Sequence, residues 1–506
     1  MAKVFKTPGV FIEEKSAFPN SAVPVATAVL AFVGYTEKAM DGNKDVTNVP
    51  TRIDSFAQFV QVFGGEPAIG YTLKKSPNGS PKPYSISVTR RKKRFYLFHC
   101  LKLFFANGGS DCYIVSIGSY GAEITREHFD DENANGLIGL RTLTKEREPT
   151  MIVMPDMMSL ENRSDVSVLH NAMLEHCGGT MKSRFAILDV YDGYKERSLD
   201  PQTDVIDQFR NDLNNAYLQW GAAYYPWVLT NISSLKTMDY TWIDSASQKT
   251  LMELLKAELP ALSGATPPTE EDSKVISILA EIEKISTVQD QKVHETLLAV
   301  SPLYKDILNS ILEDLNTLPP AAGMAGIYCM VDHSEGVFKS PANVNVGSVI
   351  RPMVHVSDDE QIDLNTPANG KAVNAIRSFP GRGVLIWGAR TLDGNNLDFR
   401  YISVRRTLIF IEQSIKYAVE PYVFQANTST TWTDVKALIS NFLSNFWRQG
   451  GLVGAKPEDA YYVQVGLGIT MTANDITEGI MRVIVGIAIT HPAEFMICTF
   501  EQKMRP

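Results

Sequence analysis

Cysteine is scarce in this sequence, and nothing in its spacing suggests pairing. The five cysteines, Cys100, Cys112, Cys177, Cys329 and Cys498, are odd in number and widely spaced, with no CxxC. That argues against a disulfide framework or a cysteine zinc cluster and leaves them as small apolar side chains for a core. Long apolar runs are also missing. The longest near the start, Val23–Tyr35, has 13 residues, well short of the ~20 needed to cross a bilayer as a helix. The opening Met1–Lys15 lacks an apolar h-region and carries Glu13 and Glu14, so no secretory leader, no membrane insertion and synthesis in the cytoplasm are expected. Positive charge is not in excess: the net charge is −9 over 506 residues, a poor match to nucleic acid or anionic lipid. What remains is 44% apolar and 21% charged, the balance of an ordinary folded chain of several domains.

Catalytic and ligand-binding motifs are absent at the spacings their chemistry requires. The string nearest to a nucleophile elbow, Asp332-His333-Ser334-Glu335-Gly336, has Asp where the first glycine belongs, so a polar turn is expected there. Gly370-Lys371 is followed by Ala372, which rules out a P-loop. His170 and His176 stand six residues apart, about 600° around a helix, and so do not converge on a metal. Gly381-Arg382-Gly383 opens like a dinucleotide fingerprint but leads into strand-like Val384–Ile386, where a helix is needed. The one dense basic run, Arg90–Arg94, fits a solvated face or an acidic neighbour. No catalytic, cofactor-binding or metal-binding residue is therefore expected.

Residues 1–20 read as an extended arm: Pro8 and Gly9 break a helix, and Val10, Phe11 and Ile12 favour a strand. Strands are expected at 28–36, 112–117, 151–156, 184–190 and 222–229, with helices at 53–63, 94–106 and 167–177 between them. This alternation indicates α/β architecture, and the strands are apolar enough to be covered on both faces. A polar excursion is expected at 75–93. Residues 245–318 carry charged helical periodicity, which points to a helical insertion. Strand texture returns at Met324–Asp332. Two helices follow at 403–419 and 431–449, then strands at 481–490 and 494–502. The last is apolar on both faces: Phe495, Ile497 and Thr499 on one, Met496, Cys498 and Phe500 on the other. Both chain ends suit strand addition to another chain.

Several strings together resemble the contractile tail sheath family of contractile bacteriophages, R-type pyocins and phage-like injection systems. They include Thr7–Glu14, Val29–Thr36, Phe104–Gly109, Arg184–Asp189, Tyr224–Trp227, Pro319–Gly326 and Gly336–Asn343. The most specific run from Asn374–Arg377 through Gly381–Gly383, Trp387–Thr391 and Val404–Arg406 to Trp447. The insertion is similar to that of longer sheaths from head-free injection particles.

The resemblance implies an α/β fold: a subtilisin-like α/β/α sandwich without an active site at 21–360. The insertion at 245–318 is expected on its outer surface, because it interrupts the chain without disturbing the matching strings on either side. The resemblance also implies an α+β C-terminal domain at 361–506 beside an inner tube, with a terminal arm at about 491–506. It implies stacked hexamers forming a helical sleeve, arms paired with neighbouring subunits, and baseplate and tail-terminator proteins as further partners. No cofactor is implied. The particle would be a phage tail or a released phage-like injection device assembled in a bacterial cytoplasm. Other readings are another tail or capsid assembly protein, or a hydrolase on an α/β fold.

Overall fold

The computed structural model describes residues 24–494 apart from 78, 88–93, 132, 265 and 286–290. Eight strands make the central sheet: β1 (Leu30–Thr36), β2 (Thr51–Ile53), β3 (Cys112–Ser119), β4 (Met151–Val153), β5 (Phe185–Asp189), β6 (Gly221–Tyr225), β7 (Asn374–Phe379) and β8 (Gly383–Trp387). Their order is β8-β7-β6-β5-β4-β1-β3-β2. The six inner strands run parallel, and β8 and β2 pair antiparallel at the two edges. Every residue of β1, β4, β5 and β6 is buried, as strands covered on both faces require.

The longer helices, of eight residues or more, include α1 (Phe56–Phe63), α2 (Leu97–Ala106), α3 (Arg163–Glu175), α4 (Ser245–Glu258), α5 (Glu270–Lys284), α6 (Gln291–Val300), α7 (Pro302–Asn316), α8 (Ala321–Ser334), α9 (Ile402–Val419) and α10 (Ser429–Arg448). Capping follows local chemistry. The Ser55 side chain accepts from Gln58 N–H to start α1, and Thr269 with Asp272 forms a capping box on α5.

The structure differs from several of the sequence expectations. Met324–Asp332, expected as a strand, lies in helix α8. Its residues are buried on nearly all sides, so the apolar pattern loses the helical period that would mark it. The small residues Gly323 and Gly326 let it pack closely on α2: a Cβ at Gly326 would stand 2.4 Å from the Phe104 carbonyl oxygen. The expected strand 222–229 is two strands in different sheets, β6 and Val228–Thr230, separated at Pro226, which has no amide to donate. The polar excursion expected at 75–93 overlaps a hairpin of Thr72–Lys75 with Tyr84–Ser87. Finally, β7 and β8, which follow residue 361, belong to the central sheet.

The described residues form two compact units, one of residues 26–409 with 491–494, the other of 24–25 with 410–490. The larger unit holds two apolar cores. One surrounds the central sheet. The other joins α4–α7 to the hairpin through Tyr71, Leu73, Tyr84, Leu251, Leu255, Ile307 and Ile311. The insertion and the hairpin are thus one accessory module. Leu73 N–H donates to Ser247 Oγ at 3.0 Å, and the Tyr84 hydroxyl donates to Asp306 at 2.5 Å. In the smaller unit, Val435, Leu438, Ile439, Phe442 and Phe446 of α10 form the apolar stripe, with Phe410 against Phe442 and Phe446 at ring separations of 5.8 and 5.4 Å.

Candidate assembly interface

The carboxyl ends of the parallel strands are where an α/β enzyme would hold its substrate, above all at the switch point between β1 and β4. Here that position is filled. Asp156, just beyond β4, accepts from the backbone N–H groups of Tyr35 at 2.7 Å and Leu97 at 2.9 Å, and also from Tyr96. Two of these amides open helix α2, so the carboxylate serves as its N-terminal cap. A Cβ at Gly34 would lie 2.5 Å from Asp156 Oδ2. Asp189, ending β5, accepts from Ala321 N–H at 2.7 Å and caps α8. Burial pushes the Asp156 carboxyl up to about 6 and the Asp189 carboxyl up to about 7.

The titratable residues weighed from the sequence are core residues. His170 packs edge-on to Phe209 at 5.4 Å, and His176 Nε2 accepts from Arg184 at 2.7 Å. Burial lowers both imidazoles to about 3, the neighbouring Arg184 charge adding to the effect at His176. Cys100, Cys112, Cys177 and Cys329 are buried, and burial pushes their thiols up. His333 sits near the end of α8, its Nδ1 2.7 Å from the Cys329 carbonyl oxygen. Among the described residues no group of His, Cys, Asp or Glu gathers as a metal set.

Surfaces suited to another chain occur in each unit. In the smaller unit, Tyr461–Val465 and Val483–Ile487 form an antiparallel sheet that has two strands among the described residues. Val463 is buried, while Tyr462 and Ile484 point outward at 54% and 46% exposure. Tyr462 lies over its cross-strand partner Gly486, where a Cβ would meet the ring at 2.2 Å. The ribbon packs on α10, which supplies the support that two strands lack by themselves.

In the larger unit, the segment that leads to the chain end is held at Glu494. Arg390 Nε and Nη2 donate to its two carboxylate oxygens at 2.9 and 2.7 Å, Asn365 Nδ2 donates at 2.7 Å, and the Tyr401 hydroxyl at 3.0 Å. The Arg390 side chain is 4% exposed and that of Glu494 17%. Burial alone would raise the Glu494 carboxyl, but the bonds from Arg390 and Asn365 outweigh it and hold it below the usual carboxylate range.

The arm residues expected from the sequence, Val10, Phe11 and Ile12 at one end and Phe495, Met496, Ile497, Cys498, Thr499 and Phe500 at the other, lie outside the described residues. The Glu494 cluster escaped sequence reasoning. One signal was present: Glu494 is the single charged side chain between Thr490 and Phe500, and such a residue needs a partner when its flanks are apolar.

The strand ends are occupied by structural carboxylates, and the described residues gather no catalytic or metal-binding set. A family model for the phage tail sheath C-terminal domain matches residues 395–503. The chain is similar to the sheath of an extracellular contractile injection system, the PVC sheath complex in its contracted state, at 26% identity over 99% of both chains with a TM-score of 0.60. It is similar also to the helical sheath of the anti-feeding prophage in its contracted state, at 26% identity over 99% of this chain and 100% of that one, TM-score 0.58. A tail sheath protein of Vibrio phage KVP40 is 23% identical over 167 residues, and one of Salmonella phage ViI is 27% identical over 146. These matches span 33% and 28% of this chain but only 25% and 22% of the two phage proteins. Residues 395–503 thus match the phage tail sheath C-terminal domain, and the chain as a whole is similar to contractile sheaths.

Proposed function

We propose that this chain is the repeating subunit of a contractile sheath that surrounds an inner tube, as stacked hexameric rings in a helical sleeve. The observation that carries this reading is the end-to-end likeness to the PVC sheath complex, at 26% identity over 99% of both chains. Work is mechanical and no catalytic step is assigned. The sleeve is assembled extended, and a baseplate signal lets it shorten and widen, driving the tube through a target envelope. The driving force is interface formed on contraction, at about 25 cal/mol per Å² of apolar surface buried, repeated over many subunits.

Within the subunit, the central-sheet region takes the part of a subtilisin-like α/β/α sandwich whose active-site position is occupied by structural carboxylates. The C-terminal region lies toward the tube, and the insertion at 245–318 lies on the outside of the sleeve. The particle is a phage tail or a head-free injection device assembled in the bacterial cytoplasm. Inner tube, baseplate and terminator proteins are its partners, and neither nucleic acid nor a membrane is. Among the described residues no helix is long and apolar enough to cross a membrane, which suits that reading.

Subunits are tethered by strand addition. The arm residues Val10–Ile12 and Phe495–Phe500 extend the two-stranded sheets of neighbours. Each ladder hydrogen bond contributes about 0.5–1.5 kcal/mol net and each large buried side chain about 1.5–3 kcal/mol. Proline removes an amide donor from the ladder, so Ile497→Pro is expected to leave the protomer's circular dichroism near wild type and abolish sleeves. Normal sleeves from this variant would show that the C-terminal arm is not the tether.

A further inference from the structure

We infer that Glu494 and its socket are the anchor through which tension in the C-terminal arm enters the folded subunit. This rests on the sheath reading above and adds to it where force is received. Three regions of the larger unit build the socket: Asn365 ends the Asp358–Asn365 helix, Arg390 follows β8, and Tyr401 precedes α9. Arg390 is held independently of Glu494. Its Nη1 donates to the carbonyl oxygens of Asn365 and Gly394, both at 3.2 Å, and its backbone N–H donates to Asn374 Oδ1 at 2.8 Å. Asn374 begins β7, so the socket is bonded into the central sheet. Glu494 is thus a plug in a preformed receptor, with both carboxylate oxygens occupied.

Position along the chain gives this cluster its role. Phe495 follows directly, and Phe495–Phe500 are the apolar residues assigned to a neighbour's sheet. Any pull on those residues reaches Glu494 before it reaches another element of the larger unit. A bidentate guanidinium–carboxylate pair resists such a pull by direction as well as by strength, because both parallel bonds must break together. The Tyr401 ring also packs edge-on to His491 at 6.2 Å, which fixes the approach to the plug. An ion pair that merely stabilised the protomer would not need the arm to be joined rigidly to it, and that difference can be tested.

Two variants of the full chain separate the possibilities. Glu494→Ala removes the plug. Insertion of Gly-Gly-Ser-Gly between Glu494 and Phe495 keeps the plug seated but slackens the arm. Each is compared with wild type for protomer circular dichroism and melting, and for sleeve yield and length by pelleting and negative-stain microscopy across a guanidinium series. Both variants are expected to retain the protomer fold and to lose at least tenfold in pelletable sleeve. If the insertion variant forms sleeves of wild-type length and guanidinium midpoint, the anchor role is overturned, even where Glu494→Ala fails to fold. A wild-type chain that forms no sleeves removes the sheath reading itself, and this inference with it.

Discussion

Asp189 shows how a residue that could have served chemistry serves structure here. Its carboxylate oxygen is the partner of the Ala321 amide, and Pro320, the residue in the cap position of α8, offers no side chain to do that work. Asp189→Ala leaves a buried amide unsatisfied and is expected to cost about 1–3 kcal/mol in guanidinium unfolding. Asp189→Asn keeps an acceptor and isolates the effect of charge. Burial raises the native carboxyl to about 7, against about 3.9 unfolded. The native state therefore binds more protons between these values, and this group's stabilising contribution is full below about pH 4 and lost as pH rises through about 7. The stability of wild type relative to Asp189→Asn should increase as pH falls from 8 to 5. A pH-independent difference would contradict the assignment. His170 and His176 act in the opposite sense, since burial keeps them neutral and acid destabilises them, so the comparison has to be made within the variant pair.

Helix α8 and the accessory module set the scale of elements. Gly326 to Ala would ordinarily favour a helix by about 1 kcal/mol. At this position the new methyl meets the Phe104 carbonyl oxygen at 2.4 Å and the Asn107 Cβ at 3.0 Å. Backbone cannot move aside as a flexible side chain can, so the substitution is expected to destabilise by roughly 1–3 kcal/mol through overpacking. An unchanged or higher guanidinium midpoint would show that the two helices do not pack this closely. The module makes a second prediction. Deleting 248–314 alone, with a flexible Gly/Ser bridge, strips Tyr71, Leu73 and Tyr84 of the core they share with α4–α7. That variant is expected to aggregate. Removing 72–87 as well, with a short link where Thr72 and Ser87 pair, should restore a soluble, folded chain. Equal solubility of the two deletions would mean that the hairpin and the insertion are not one unit. Sequence patterning was informative where one face is buried and the other is wet: α10 was legible from Val435, Leu438, Ile439, Phe442 and Phe446. It failed for α8, buried on nearly every side, and for the hairpin, whose polar residues and Pro81 and Pro83 conceal strands that, among the described residues, pair with each other.

At the scale of the whole molecule, sequence reasoning gave the α/β architecture and the likeness to contractile sheaths. It did not join β7 and β8 to the central sheet, to which they return after a long excursion. That return is a non-local pairing, Tyr224 with Asn374 and Tyr225 with Ala375, which no local pattern announces. The same limit hid the Glu494 socket: its parts lie at 365, 390, 401 and 494 and meet only in the fold. The account's central claim is that this chain polymerises as a sheath. Its most direct test is electron microscopy of the purified full-length chain, alone and co-expressed with its inner tube protein. Hollow, striated sleeves with sixfold end views are the expected result. A folded protein that stays monomeric in both preparations, at every concentration tried, would contradict the account.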